Sequence, residues 1–155
     1  MSRVFMSKFN ASEPIVGDSI ALMLNRVLTE NEALEHIPAY LYDIVYLDGT
    51  RIGQIDLRIG KSESLMMYGG QIGYGIDKPF RGHGYAAEAC QLLKPVALEL
   101  GFKELWITCN PENAASIRTC EKIGAVYVER VDVPEGSKLW HRGDREKLRF
   151  LWRLQ

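Results

Sequence analysis

The sequence predicts a mixed α/β fold: one domain, residues 1–155, around a central, mostly antiparallel twisted sheet of six to seven strands with helices on both faces. Three observations carry this. Asp48-Gly49, a strong hairpin turn, joins two strand-like runs, Ala39 to Leu47 and Arg51 to Ile59. A third run, Gln71 to Ile76, extends them into an antiparallel meander. Beyond it, helical periodicity alternates with short apolar runs, and no repeat, linker or low-complexity tract interrupts the chain.

Each element has a local reason. Arg3 to Lys8 reads as a short first strand. Asp18 can cap a helix running to about Thr29, with Ile20, Leu24, Val27 and Leu28 on one face. A helical turn around Glu32 to Glu35 ends at Pro38. Ala39 to Leu47 is rich in aromatic and β-branched residues, and Tyr40, Tyr42, Ile44 and Tyr46 share one face, as core or as an aromatic floor. In Arg51 to Ile59, Ile55, Leu57 and Ile59 alternate with Gln54, Asp56 and Arg58. Gly60 to Gly70 reads as a loop. Gly84 to Leu100 carries an apolar stripe of Ala86, Ala89, Cys90, Leu93, Ala97 and Leu100. Pro95 inside it predicts a kink or a split, and Gly101 a stop. Glu104 to Cys109 is a buried strand. Ala114 to Ile123 is a short helix ended by Gly124, followed by a strand from Tyr127 to Val133. Pro134 to Asp144 reads as a polar loop, and Lys147 to Leu154 as the final strand.

Composition narrows the function classes. The 155 residues are 46% hydrophobic and 25% charged with a net charge of −1, so no large basic field is present to attract nucleic acid or an anionic membrane. No apolar run approaches the roughly 20 residues that span a bilayer. The three cysteines, Cys90, Cys109 and Cys120, lack metal or redox spacing and read as core or packing. With no export signal at the N-terminus, they suit a cytoplasmic protein without a metal.

The stretch from Ile72 to Ala86 carries the chemistry. A strand leads through Asp77-Lys78-Pro79 into Arg81-Gly82-His83-Gly84-Tyr85-Ala86 and then into a helix. The first N–H groups of a helix lack carbonyl partners and sit at the positive end of its dipole. Glycines let the backbone approach an oxygen-rich ligand. This arrangement predicts an anion site, and a diphosphate is the ligand inferred.

These residues resemble the GNAT N-acetyltransferases. Arg81-Gly82-His83-Gly84-Tyr85-Ala86 fits their [Q/R]-x-x-G-x-[G/A] acetyl-CoA loop. Asn113-Ala114-Ala115-Ser116, followed by Glu121-Lys122-Ile123-Gly124-Ala125, looks like their second signature. The Tyr85-Ala86-Ala87-Glu88-Ala89 continuation and Ser116 resemble the branch of ribosomal-protein N-terminal acetyltransferases. The resemblance is good from Gln71 to Val128 and poor in the N-terminal third.

The resemblance implies a single GNAT domain with a V-shaped splay between predicted strands 4 and 5, Gln71 to Ile76 and Glu104 to Cys109. Backbone N–H groups of Arg81, Gly82, His83, Gly84, Tyr85 and Ala86 would hold the diphosphate of acetyl-CoA, and Tyr74, Gly75 and Ile76 would pair with its pantetheine arm. Asn113 and Ser116 would touch that arm. The Ile76 N–H would serve as oxyanion donor, and either Ser116 would protonate the leaving thiolate, directly or through water, or no dedicated acid would be used. Two usual groups are missing: Cys120 stands where many members have a Tyr acid, and Thr108 where the ribosomal type often has a Glu base. Asp56, Glu63 or Asp77 could act as base through water. The implied activity is transfer of an acetyl group to a primary amine in a ternary complex. The acceptor is a small molecule, an antibiotic or a protein N-terminus, and a homodimer is compatible with the sequence. The alternatives are a non-catalytic acyl-CoA sensor and a Rossmann-type nucleotide-binding protein, against which stand glycines that follow an antiparallel meander.

Overall fold

The computed structural model describes residues 13–29 and 37–155. The predicted strand at Arg3 to Lys8 and the helical turn at Glu32 to Glu35 lie outside them. Among the described residues, five strands form one antiparallel sheet in the order β1 (Ile15–Val16), β2 (Ile20–Leu28), β3 (Ala39–Tyr46), β4 (Arg51–Arg58) and β5 (Ile72–Ile76). A second antiparallel sheet has the order β6 (Glu104–Cys109), β8 (Glu146–Arg153), β7 (Val126–Asp132). Helix α1 (Tyr85–Glu99) packs on β2, β4 and β5, α2 (Ala114–Ile123) packs against α1, β6 and β8, and α3 (Lys138–Arg142) is a short turn of helix. No helix among the described residues is long and apolar enough to cross a membrane.

The segment predicted as a helix from Asp18 to Thr29 is instead strand β2. It pairs along its length with β3, from Ile20 opposite Tyr46 to Leu28 opposite Ala39. A bulge between Leu24 and Arg26 breaks its alternation. Before the bulge Ile20 and Leu22 point into the core. After it the faces exchange, so apolar residues fall at positions that mimic a helical stripe. Long-range pairing overrides the local preference of Ala21, Leu22, Met23 and Leu24.

Smaller differences have equally local causes. Pro95 neither breaks nor splits α1. It sits on the exposed face, where water can satisfy the carbonyl that loses its donor. The loop expected at 60–70 contains a π-helical turn, Leu65–Gly69, anchored by the buried Leu65. The polar loop expected at 134–144 contains α3, capped by the Ser137 side chain.

The core is one cluster drawn from β2 to β6, β8, α1 and α2. Tyr40, Tyr42 and Ile44 belong to it, at most 1% exposed, so that face of β3 is packing and not an acceptor floor. Cys90, Cys109 and Cys120 are buried free thiols, as expected.

Hydrogen bonds tie the start of β5 to β6 at Gln71. Gln71 is 2% exposed, and its backbone N–H donates to the Trp106 carbonyl at 2.8 Å. Its side chain accepts from the Trp106 N–H and donates to the Gly60 carbonyl, both at 2.8 Å. Beyond Gln71 no ladder joins β5 to β6, and the strands part as a V.

Candidate active site

The register of β4 on β5 decides which backbone groups face the V. Asp77 donates to the Ile52 carbonyl and Arg58 to the Gln71 carbonyl, each at 2.8 Å, flanking pairs that run from Gly53–Ile76 to Leu57–Ile72. In an antiparallel ladder this makes Gly73 and Gly75 the hydrogen-bonded partners of Asp56 and Gln54. The N–H and C=O groups of Tyr74 and Ile76 are left on the open edge. Arg81 Nε takes the Ile76 carbonyl at 2.7 Å, which pins the following loop to the end of β5. The Ile76 N–H stays directed at the V.

Three glycines make this surface bare. A Cβ on Gly53 would collide with the Gly75 carbonyl, and one on Gly73 with the Arg58 guanidinium. One on Gly75 would come within 2.8 Å of Gln54 Nε2.

After β5, Pro79 lies in a 3-10 turn, Lys78–Phe80, and the chain enters α1 through Gly82 (φ 92°) and Gly84 (φ 78°). These left-handed conformations suit glycine alone. Gly84 caps α1 with no side-chain bond, so the first-turn N–H groups open onto a cleft. Tyr85 packs edge-on against Tyr46 at 5.7 Å while also lining that cleft, and His83 lies beside it at 5.3 Å.

The cleft, about 330 Å³, brings together every residue predicted to hold the cofactor: Tyr74, Gly75, Ile76, Arg81, Gly82, His83, Gly84, Tyr85, Ala86, Asn113 and Ser116. Asn113 caps α2 by accepting from the Ser116 N–H at 3.1 Å. Sequence reasoning missed Arg118, Thr119 and Lys122, which line the same wall. Their spacing with Ala115 along one face of α2 was the available signal. Lys122 Nζ lies 3.0 Å from where a Gly84 Cβ would stand, so its ammonium adds to the positive end of α1.

At the crotch of the V the structure answers the missing tyrosine. Tyr74 projects from β5 and its hydroxyl lies 3.0 Å from Ser116 Oγ and 3.7 Å from Cys120 Sγ. A phenol from the strand thus reaches the helix position where the sequence has Cys120. Burial drives the Tyr74 hydroxyl far above its ordinary range, so it stays protonated. A hydrogen bond with Cys109, and after it the same desolvation, raises Cys120.

A polar throat of about 210 Å³ continues from Tyr74, Asn113 and Ser116 to Arg58, Arg142 and Lys147. It opens, past Arg58, Gly69 and Arg142, into a larger and more apolar cavity of about 850 Å³. Asp56 and Glu63 line this cavity, whereas Asp77 turns away to pair with Arg51 at 3.1 Å. Burial raises the Asp56 pKa although Arg58, 3.8 Å away, works against it. Thr108 is committed to the Tyr68 carbonyl at 2.9 Å and offers no base. In Asp144 burial pushes the pKa up, but Arg142, Lys147 and Asn110 together hold it below the usual carboxylate range. Asp144 therefore pairs with its neighbours.

The geometry is a backbone anion cradle, an open strand edge, a hydrogen-bonded hydroxyl pair and a second cavity behind them. The acetyltransferase (GNAT) domain family matches residues 7–126. The uncharacterized N-acetyltransferase YnaD of Bacillus subtilis (strain 168) is 35% identical over 78 residues, which cover 45% of this chain and 43% of that protein. The chain thus spans less than half the length of this curated relative. A putative ribosomal-protein-serine acetyltransferase from Vibrio cholerae superposes with a TM-score of 0.64 at 17% identity, over 94% of this chain and 99% of that one. RimL, a ribosomal L7/L12 α-N-protein acetyltransferase in complex with coenzyme A, gives 0.66 at 15% identity, over 91% and 98%. At these identities the structures speak for the fold. The family match over most of the chain decides the rest: this protein belongs to the GNAT acetyltransferases.

Proposed function

We propose that the protein is an N-acetyltransferase that moves an acetyl group from acetyl-CoA to a primary amine by direct attack in a ternary complex. The observation that carries this reading is the meeting of three features at one cleft: the α1 N-terminus, the unpaired edge of β5 and the split beside β6. A diphosphate fits the N–H groups from Gly82 to Ala86, with Arg118 and Lys122 supplying charge. The amide-bearing arm of the cofactor fits the open groups of Tyr74 and Ile76, pairing like a strand.

The remaining roles follow from the throat. The amine approaches from the large cavity. Its proton passes through water to Asp56, which is the half-buried carboxylate on that side. The N–C bond forms as the C–S bond breaks, and the Ile76 N–H meets the charge that develops on the carbonyl oxygen. Ser116, held by the Tyr74 hydroxyl at 3.0 Å, passes a proton from water in the throat to the departing thiolate, while Tyr74 keeps its own. A base and an acid on opposite sides of the throat favour turnover over the sensor reading.

The test is binding, then turnover. Coenzyme A is expected to raise the melting temperature where NAD and ATP do not. Thiol release from acetyl-CoA is expected with at least one amine of a broad panel. No stabilisation by coenzyme A would overturn the reading, and stabilisation without thiol release on any amine would replace it with the sensor.

A further inference from the structure

The large cavity has charge of both signs at its inner end, and most of its remaining lining is apolar. Arg58 from β4 and Arg142 from α3 stand at its junction with the throat and line both spaces. Arg58 is fixed there: its Nη1 donates to the carbonyls of Gly69 and Gly70 at 2.9 and 3.0 Å. Arg142 donates to Asp144 at 2.6 Å, but Asp144 also serves Lys147 at 3.2 Å and the Asn110 amide at 3.1 Å. Around the throat, among the described residues, two carboxylates, Asp56 and Asp144, thus face three cations, Arg58, Arg142 and Lys147. The outer wall adds Glu63 and Lys138, which offset each other. The two guanidiniums are close enough to oppose each other: burial disfavours the Arg58 charge, Asp56 supports it, and Arg142 again disfavours it. Such a pair is relieved by an anion.

We propose that the acceptor is a free α-amino acid with a large apolar side chain. Its amine points down the throat beside Asp56, its carboxylate rests on Arg142 and Arg58, and its side chain fills the cavity against Leu41, Leu65 and Leu139. This rests on the acetyltransferase reading and names the substrate class of that same site. An α-amino acid carries its ammonium and carboxylate on one carbon, which matches opposite charges 3.8 Å apart on one strand of the wall. A peptide N-terminus puts a neutral amide where the carboxylate would lie, and a simple alkylamine puts nothing there. Either would leave the three cations around the throat with only Asp56 and Asp144 to offset them, one negative charge short. The volume, about 850 Å³, accommodates an aromatic or long aliphatic side chain.

The experiment compares kcat/KM for free phenylalanine, leucine and methionine with their carboxamides and with dipeptides that begin with the same residue. The free acids are expected to be preferred by about tenfold or more, the scale of a charge-assisted hydrogen bond. Arg142→Gln should bring this ratio close to one, and Arg142→Lys should restore part of it. The Arg142 side chain is 65% exposed, so both variants should fold, which coenzyme A-induced stabilisation checks. Independently of turnover, calorimetric titration of phenylalanine into the coenzyme A-saturated protein should show binding that Arg142→Gln weakens about tenfold. Carboxamides or dipeptides used as well as the acids, or a ratio unmoved in Arg142→Gln, would overturn the assignment while leaving the acetyltransferase reading intact. Failure to bind coenzyme A would bring down both.

Discussion

Gln71 offers a sharp test of how the V is held. Its carboxamide joins two segments that no ladder connects, through one bond to Trp106 and one to Gly60. Gln71→Leu keeps the approximate volume and removes both. It leaves a part-buried N–H and a part-buried carbonyl without partners, each worth about 1–3 kcal/mol. Part of this is recovered because leucine is easier to desolvate than an amide, so the net loss should be about 2–4 kcal/mol. Urea unfolding read by tryptophan fluorescence and far-UV circular dichroism measures it, with an unchanged m-value showing that the folded state remains compact. The variant should also bind coenzyme A more weakly, because the gap between β5 and β6 is no longer fixed at its apex. Gln71→Glu, which keeps an acceptor for Trp106, should retain more of the affinity. A Gln71→Leu protein within about 0.5 kcal/mol of the parent would refute the reasoning. So would a destabilised one with unaltered coenzyme A affinity, since apex and wedge would then be uncoupled.

Other predictions address the chemistry. Asp56→Asn should lower kcat by about a hundredfold or more. In the parent, activity should fall with acidification through a midpoint above the ordinary aspartate value of about 3.9, because burial favours the protonated form and only the ionised form accepts a proton. In Asp56→Asn that acid limb should vanish from the pH–rate profile. Tyr74→Phe and Ser116→Ala should each reduce kcat with little change in coenzyme A affinity. The double variant should be no worse than the weaker single one, because the two hydroxyls act as one hydrogen-bonded unit; a double-mutant cycle showing full additivity would contradict this. Gly84→Ala places a side chain at φ 78° and 3.0 Å from Lys122 Nζ, and calorimetry should show about tenfold weaker coenzyme A binding, or about 1.4 kcal/mol.

What could be read in advance was what depends on neighbours in the chain. The Arg81 to Ala86 loop, the Asn113 cap and the helix that follows are short-range features, and their residue types state their geometry. Strand β2 was misread because its bulge near Asn25 and its helix-forming residues imitate a helical stripe, and only the partner β3 resolves the ambiguity. Gln71 looked like an ordinary strand residue. Its role arises from Gly60 and Trp106, 11 and 35 positions away. Tyr74 reaching the place held by Cys120 is likewise a matter of two elements meeting, 46 positions apart. Arg58 and Arg142 converge only because α3 returns to the end of β4, which no local pattern announces.

The sparse strand Ile72-Gly73-Tyr74-Gly75-Ile76 has one consequence for redesign. Its glycines resist decoration unequally: a side chain on Gly73 would meet the Arg58 guanidinium, which two carbonyls hold in place, whereas one on Gly75 would meet only the movable end of Gln54. The strand contributes main chain and a single phenol; the flanking side-chain chemistry is lent by its neighbour. On the proposed function, altering the acceptor is therefore a task for positions 54, 56 and 58, while β5 offers its open main-chain edge to the donor.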